Sequence, residues 1–201
     1  MDNRKKVPLK NKLAYGIGTG RGNVFSQIAA AFLLNYYTDT ALIGAGAIAT
    51  MFLVCRVFDG ITDLLMGGIV DKTSTRLGKA RPWLIASAPL SLLGIVLLMN
   101  VPMGLGENGK LVYAYITYIF MSCIVYTIYG ISNTALLPLM THDKDDSTML
   151  ATFSALGNNI IGLIAGSLIT PLVLNLGWKT SSISLGFAAC VLILISGLLN
   201  K

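Results

Sequence analysis

Charge is what this sequence has least of. Only 12% of its 201 residues are Asp, Glu, Lys or Arg, while 54% are hydrophobic. Soluble domains carry roughly 25% charged residues, so an ordinary water-soluble domain is excluded. Cysteine and histidine are scarce as well. Cys55, Cys123 and Cys190 each stand alone in an apolar stretch, with no C-x-x-C, and His142 is the one histidine. That pattern excludes a disulfide framework and a clustered transition-metal site, and reads as three small apolar packing residues. No nucleophile sits with a base in a recognisable pattern, so an enzyme is not expected.

Long apolar runs are what is there. They lie at about 13–38, 41–70, 82–101, 110–139, 148–176 and 180–199, each long enough to span a bilayer. The expected fold is an all-α polytopic membrane protein: a basic tail at 1–12, then a six-helix transmembrane bundle at 13–201. No soluble domain fits in what remains.

The net charge of +6 is placed by topology and not by nucleic acid. Arg4, Lys5, Lys6, Lys10, Lys12, Lys72, Arg76, Lys79, Arg81, Lys144 and Lys201 fall on one side of the alternating runs, and only Lys110 and Lys179 on the other. The positive-inside rule then puts both termini in the cytoplasm, in a multi-pass protein of the cytoplasmic (inner) membrane. The first run shows no convincing cleavage site and reads as a retained helix, not a secretory signal.

The second run carries the costliest residues. Arg56, Asp59 and Asp63 fall at about 0°, 300° and 340° around a helix turning about 100° per residue, so they share one face. Each ionised group at mid-membrane costs roughly 2.5 to 3.5 kcal/mol on insertion scales, so they must pair, bind an ion or line water. The loop that follows holds Asp71, Arg76, Lys79 and Arg81 and reads, with Arg56, as gating or structural charge.

Other polar residues sit on the first and fourth runs. GIGTGRGN places glycine at 16, 18, 20 and 22. With no strand before it, the pattern reads as small residues permitting close helix approach, not a phosphate loop. Arg21 either snorkels, pairs with an aspartate or faces a cavity, and Asn23 is helix glue or a substrate contact. The fourth run carries Tyr126, Thr127, Tyr129, Gly130, Ser132, Asn133 and Thr134, suited either to a polyhydroxylated solute or to bonding between helices. The aspartates of the loop at 141–148 either cap the fifth helix or meet the basic loop.

Several motifs, in order, carry a resemblance. They are Lys12-Leu13-Ala14-Tyr15-Gly16 with Tyr36-Tyr37-Thr38-Asp39, Arg56-Val57-Phe58-Asp59-Gly60-Ile61-Thr62-Asp63, and Met66-Gly67-Gly68-Ile69-Val70-Asp71 with Arg76-Leu77-Gly78-Lys79-Ala80-Arg81-Pro82-Trp83. Leu136-Leu137-Pro138-Leu139-Met140-Thr141 follows. In these the chain resembles the glycoside-pentoside-hexuronide cation symporters, the melibiose-permease-like branch of the major facilitator superfamily. The resemblance implies the N-terminal half of a twelve-helix carrier built from three-plus-three repeats, in which a sugar enters with Na⁺, H⁺ or Li⁺ and no other cofactor.

It further implies that Asp59 and Asp63 hold the coupling cation, with Thr62 and Thr127 as oxygen donors. On the solute side Asn23, Arg21, Tyr126, Gly130 and Asn133 are the expected contacts. The family's Lys-Asp pair on the first helix falls on Gly22 and Asn23, its fourth-helix aspartate on Gly130, and the acid of other relatives on Thr19, which makes a hexuronide assisted by Arg21 worth testing. A C-terminal six-helix half or a second copy is the expected partner, besides lipid. The rivals are a non-transporting membrane subunit with structurally paired charges and an exporter of non-sugar solutes.

Overall fold

The computed structural model describes residues 7–28, 32–141 and 143–199, with the side chains at 21–23, 26 and 27 set aside. Arg4, Lys5, Lys6, His142, Lys201 and the Arg21 and Asn23 side chains therefore lie outside the described residues. Among the described residues every regular element is helical. They are α1 (Leu9–Gln27), α2 (Leu33–Asn35) running into a π-helical turn at Tyr36–Thr40, α3 (Ala45–Lys72), α4 (Arg81–Leu98), α5 (Glu107–Ile119), a second π turn at Phe120–Tyr126, α6 (Thr127–Met140) and α7 (Lys144–Leu199).

Helix α1 starts four residues ahead of the expected 13. Pro8 has no N–H to leave unpaired, and its carbonyl accepts the N–H groups of Asn11 and Lys12 at 2.9 and 3.2 Å. At the other end of the third run α4 stops at Leu98. Pro102 bars a helical residue before it, Asn100 Nδ2 returns to the Val96 carbonyl at 2.7 Å, and the Val101 N–H turns to Tyr36 Oη at 2.9 Å. The fifth and sixth runs form α7, broken at Gly177, whose φ of 72° and ψ of 169° suit a residue without Cβ. The two arms of α7, 144–176 and 178–199, fold back at that point. Among the described residues three helices are long and apolar enough to cross a membrane: Arg81–Leu98, Glu107–Met140 and Lys144–Leu199.

In lipid, burial from water does not drive helices together, so close packing and interhelical hydrogen bonds must. The glycines of α1 supply the packing. A Cβ at Gly16 would lie 2.5 Å from the Phe153 carbonyl oxygen, and one at Gly20 would meet Ile161 and the Gly157 carbonyl, all on the first arm of α7. A Cβ at Gly18 would collide with Ser196 on the second arm. The alternation reflects a helix gripped on two sides. In the same way Gly186 and Gly197 admit Leu92 and Ile85 of α4, while α3 packs on α6 and the second π turn.

Two apolar clusters result. One holds Tyr36, Tyr37, Met51, Leu98, Met121 and Ile169, and the other Tyr15, Met66, Leu84, Tyr129, Leu150 and Ile193. Large apolar side chains also face outward along α3 and α7, among them Leu53, Val57, Ile61, Leu64, Leu163 and Leu174, a surface suited to lipid.

Charge holds the end where the chain begins. Lys12 Nζ pairs with Asp146 Oδ1 at 2.7 Å, the two side chains being only 7% and 5% exposed. Asp146 Oδ2 accepts the Val7 N–H at 2.8 Å. Read from sequence as one of several topogenic charges, Lys12 is instead a buried strut between α1 and α7. Asp143 caps α7 by accepting the N–H groups of Asp145 and Asp146 at 3.0 Å, and Asp146 points to α1 instead of the basic loop. Arg81 donates to the Gly197 and Leu198 carbonyls at 3.0 and 3.4 Å, where a cation suits a helix C-terminus. Asp71, Arg76 and Lys79 are exposed.

Candidate ion and solute site

The polar face of α3 meets the junction between the second π turn and α6. Asp59 is half-buried, and Ser122 Oγ donates to its Oδ1 at 2.9 Å. One turn on, the Thr62 and Thr127 hydroxyls are 3.4 Å apart. Thr62 donates back to the Phe58 and Asp59 carbonyls at 3.1 Å, so the proton between the two hydroxyls belongs to Thr127. Both oxygens then keep lone pairs for an incoming cation. Carboxylate and hydroxyl oxygens are the donors a hard cation such as Na⁺ takes.

The other expected members lie further out. Asp63 and Arg56 are exposed on α3, and among the described residues no ion pair joins Arg56 to either aspartate. Asp63 follows Thr62 along the helix, but no contact among the described residues closes it onto Asp59.

Ser122 was not anticipated, for a physical reason. At about 100° per residue Ser122 and Thr127 would stand about 140° apart. A π turn, which brings residues five apart into register, lets both address α3.

Across α6 from this junction lies a cavity of about 870 Å³, lined by Tyr15, Thr19, Tyr126, Gly130, Asn133 and Asn158 among others. It falls in the size range of small-molecule sites, about 300 to 1,000 Å³. Tyr126, Gly130 and Asn133 all line this cavity. Gly130 has nothing within 4 Å of where a Cβ would stand, which leaves room in the wall. Asn133 is 8% exposed, and its Oδ1 lacks a hydrogen-bond partner among the described residues. Phe25 stacks on Tyr126 with ring centroids 5.1 Å apart.

Tyr15, Thr19, Ser154 and Asn158 were not singled out as contacts from sequence. Tyr129 Oη donates toward the Gly18 and Thr19 carbonyls at 2.9 and 3.0 Å, Thr19 Oγ1 to the Gly16 carbonyl at 2.8 Å, and Tyr15 Oη to the Asn133 carbonyl at 3.3 Å. The Tyr15 and Tyr129 bonds fix the α1 wall against α6, while the Thr19 bond closes within α1. Their signal was the polar residues of α1 at helical spacing, but which helix would face them was not written in the chain.

Long apolar helices beside an open cavity that carries hydroxyl and amide groups, with a carboxylate set among hydroxyls on the next helix, mark an all-α membrane protein. The chain belongs to the MFS/sugar transport protein family, whose model matches residues 14–199. It is similar to the putative glycoside/cation symporter YagG of Escherichia coli (strain K12), 36% identical over 193 residues covering 93% of this chain. The glucuronide carrier protein homolog of the same strain is 34% identical over 164 residues, 81% of the chain. The inner membrane symporter YicJ is 33% identical over 188 residues, 94% of the chain. The chain spans 40% of the length of YagG and YicJ and 35% of the glucuronide carrier homolog.

Proposed function

We propose that this chain is the ion-binding and part of the solute-binding half of a cation-coupled sugar or glycoside symporter in the cytoplasmic membrane. The observation that carries the reading is adjacency. Tyr126 lines the cavity and the next residue, Thr127, touches Thr62 beside Asp59. An ion that draws Thr127 toward Asp59 moves the cavity wall with it, and a solute pressing on Tyr126 moves the ion's ligand. That is the shared element a coupling free energy needs.

Asp59, Thr62 and Thr127 supply the oxygens for Na⁺, with Asp63 joining as α3 and α6 close, and Asp59 alone serves where H⁺ is the coupling ion. Arg56 offsets the carboxylates when no ion is bound. Tyr126, Asn133 and the space beside Gly130 take the solute, with Asn23 and Arg21 contributing from α1. The relatives' names include a glycoside/cation symporter and a glucuronide carrier homolog; the side chains described here as lining the cavity are uncharged, which favours a neutral glycoside unless Arg21 enters.

The six helical passes form a three-plus-three repeat with both termini cytoplasmic. The packing of α1 on α7 and of α3 on α6 supports that reading. A second six-helix bundle, the C-terminal half or another copy, completes the cavity and rocks against this one, with Asp71, Arg76, Lys79 and Arg81 at the gate.

The test is thermal. Sodium at about 100 times its dissociation constant should add about 2.7 kcal/mol to stability, and Asp59→Asn should remove that protection while leaving helicity intact. Equal protection in the variant would move the ion elsewhere. No protection by Na⁺ at any pH would favour H⁺ as the coupling ion or charges that merely pair within the bundle. Counterflow with this chain joined to its second bundle, over a panel of glycosides, pentosides and uronic acids, then assigns the solute, and movement of lipophilic amines alone would make it an exporter.

A further inference from the structure

Two thiols stand beside the ion site without a part in it. Cys55 precedes Asp59 by one turn of α3, so both face α6 and the π turn. Cys123 follows Ser122 in that turn. Both cysteines are free and buried, 1% and 3% exposed. Cys123 Sγ donates to the Cys55 carbonyl across 3.8 Å, which sets the two cysteines side by side where α3 meets the π turn. Cys190, on the second arm of α7, stands apart in the other apolar cluster.

We propose that Cys55 and Cys123 form a two-coordinate site for a soft, thiophilic divalent cation, which on binding clamps α3 to the π turn and closes access to Asp59. Sulfur ligands select soft ions over Na⁺ or Mg²⁺. Zinc is not the occupant, since its structural sites take four ligands and no group of three or more His, Cys, Asp or Glu is assembled among the described residues. Charge selects the valence. A monovalent ion between two thiolates leaves a net negative charge beside Asp59, whereas a divalent ion gives a neutral adduct, which a buried site accepts more readily. With mercuric ion the step is Hg²⁺ + 2 RSH → Hg(SR)₂ + 2 H⁺. Two S–H bonds break, two Hg–S bonds form, both protons go to solvent and nothing is oxidised or reduced.

The experiment uses the purified chain in detergent micelles, titrated with HgCl₂ in excess glutathione. A monothiol strips mercury from an isolated cysteine but not from a chelating pair. The expected result is one Hg²⁺ retained per chain by intact mass and by thiolate charge-transfer absorbance, unchanged in Cys190→Ser. Either Cys55→Ser or Cys123→Ser should weaken retention by about 100-fold or more, the loss expected when a bivalent hold becomes monovalent. Alanine at each position, with helicity checked by circular dichroism, separates ligand loss from misfolding. Retention unaffected by either substitution, or lost only with Cys190, overturns the site. The binding arm does not rest on the transport reading; loss of Na⁺ protection in the Hg²⁺-loaded protein does, so the two can fail separately.

Discussion

Replacing Lys12 with methionine is expected to destabilise the protein by about 3 kcal/mol or more, the cost of removing one partner from a buried ion pair. Lys12 and Asp146 are 134 residues apart in sequence and almost fully enclosed, so the carboxylate left behind keeps the Val7 N–H but loses the cation that compensates it. The Lys12 ammonium also donates to the Met149 sulfur at 3.3 Å, and methionine keeps the apolar stem while removing the ammonium. The loss measured is therefore that of charge. Asp146→Asn should cost less, because an amide still accepts from Val7 and strands only the flexible ammonium. Replacing both by Met and Leu should recover most of the loss, since apolar substitution of a whole buried pair is often neutral or better. Chemical denaturation in micelles of the two single variants and the double variant closes the cycle. A Lys12→Met protein within about 0.5 kcal/mol of the parent, the range of ordinary surface changes, would show that the pair does not hold α1 to α7.

That strut also marks where sequence reading ends. The apolar runs, the polar face of α3 and the hydroxyl-rich stretch at 126–134 were legible because each is local: a period, a composition, a cost that must be met within a few residues. The family resemblance supplied the expectation that Thr62 and Thr127 work together, which no periodicity could give, and the two hydroxyls stand 3.4 Å apart. Lys12 and Asp146 were each visible as charges near an interface, but only tertiary packing says which opposite charge a buried lysine meets. Ser122 was hidden by a departure from the helical period the eye applies, because one extra residue per turn rotates everything before it. The α1 glycines were read as close-approach residues, yet that two different arms of α7 press on alternate ones follows from Gly177 folding the chain back. The cavity residues of α1 share that dependence.

The second large effect concerns the place where those helices touch. Gly157→Ala is expected to cost about 3 kcal/mol, the upper end for overpacking, because the added Cβ falls on the Gly16 carbonyl carbon and oxygen. Backbone cannot rotate out of the way as a side-chain tip can, so α1 must shift from α7 along its length. Movement there would loosen the bond from Thr19 to the Ser154 carbonyl and that from Tyr129 to the Thr19 carbonyl, which set the cavity wall. The effect should appear twice, as lost stability and as weakened solute binding. Gly16→Ala meets the Phe153 carbonyl and should act alike. The double variant should cost less than the sum, since a helix already displaced accepts the second methyl at smaller expense. Gly60→Ala and Gly67→Ala on α3 serve as controls: nothing stands within 4 Å of either Cβ, and glycine within a helix is worse than alanine by about 0.5 to 1 kcal/mol. Both should leave the protein as stable as before or more so in the same denaturation assay. Were all four substitutions to behave alike, close approach of α1 and α7 would not be what holds the cavity wall in place.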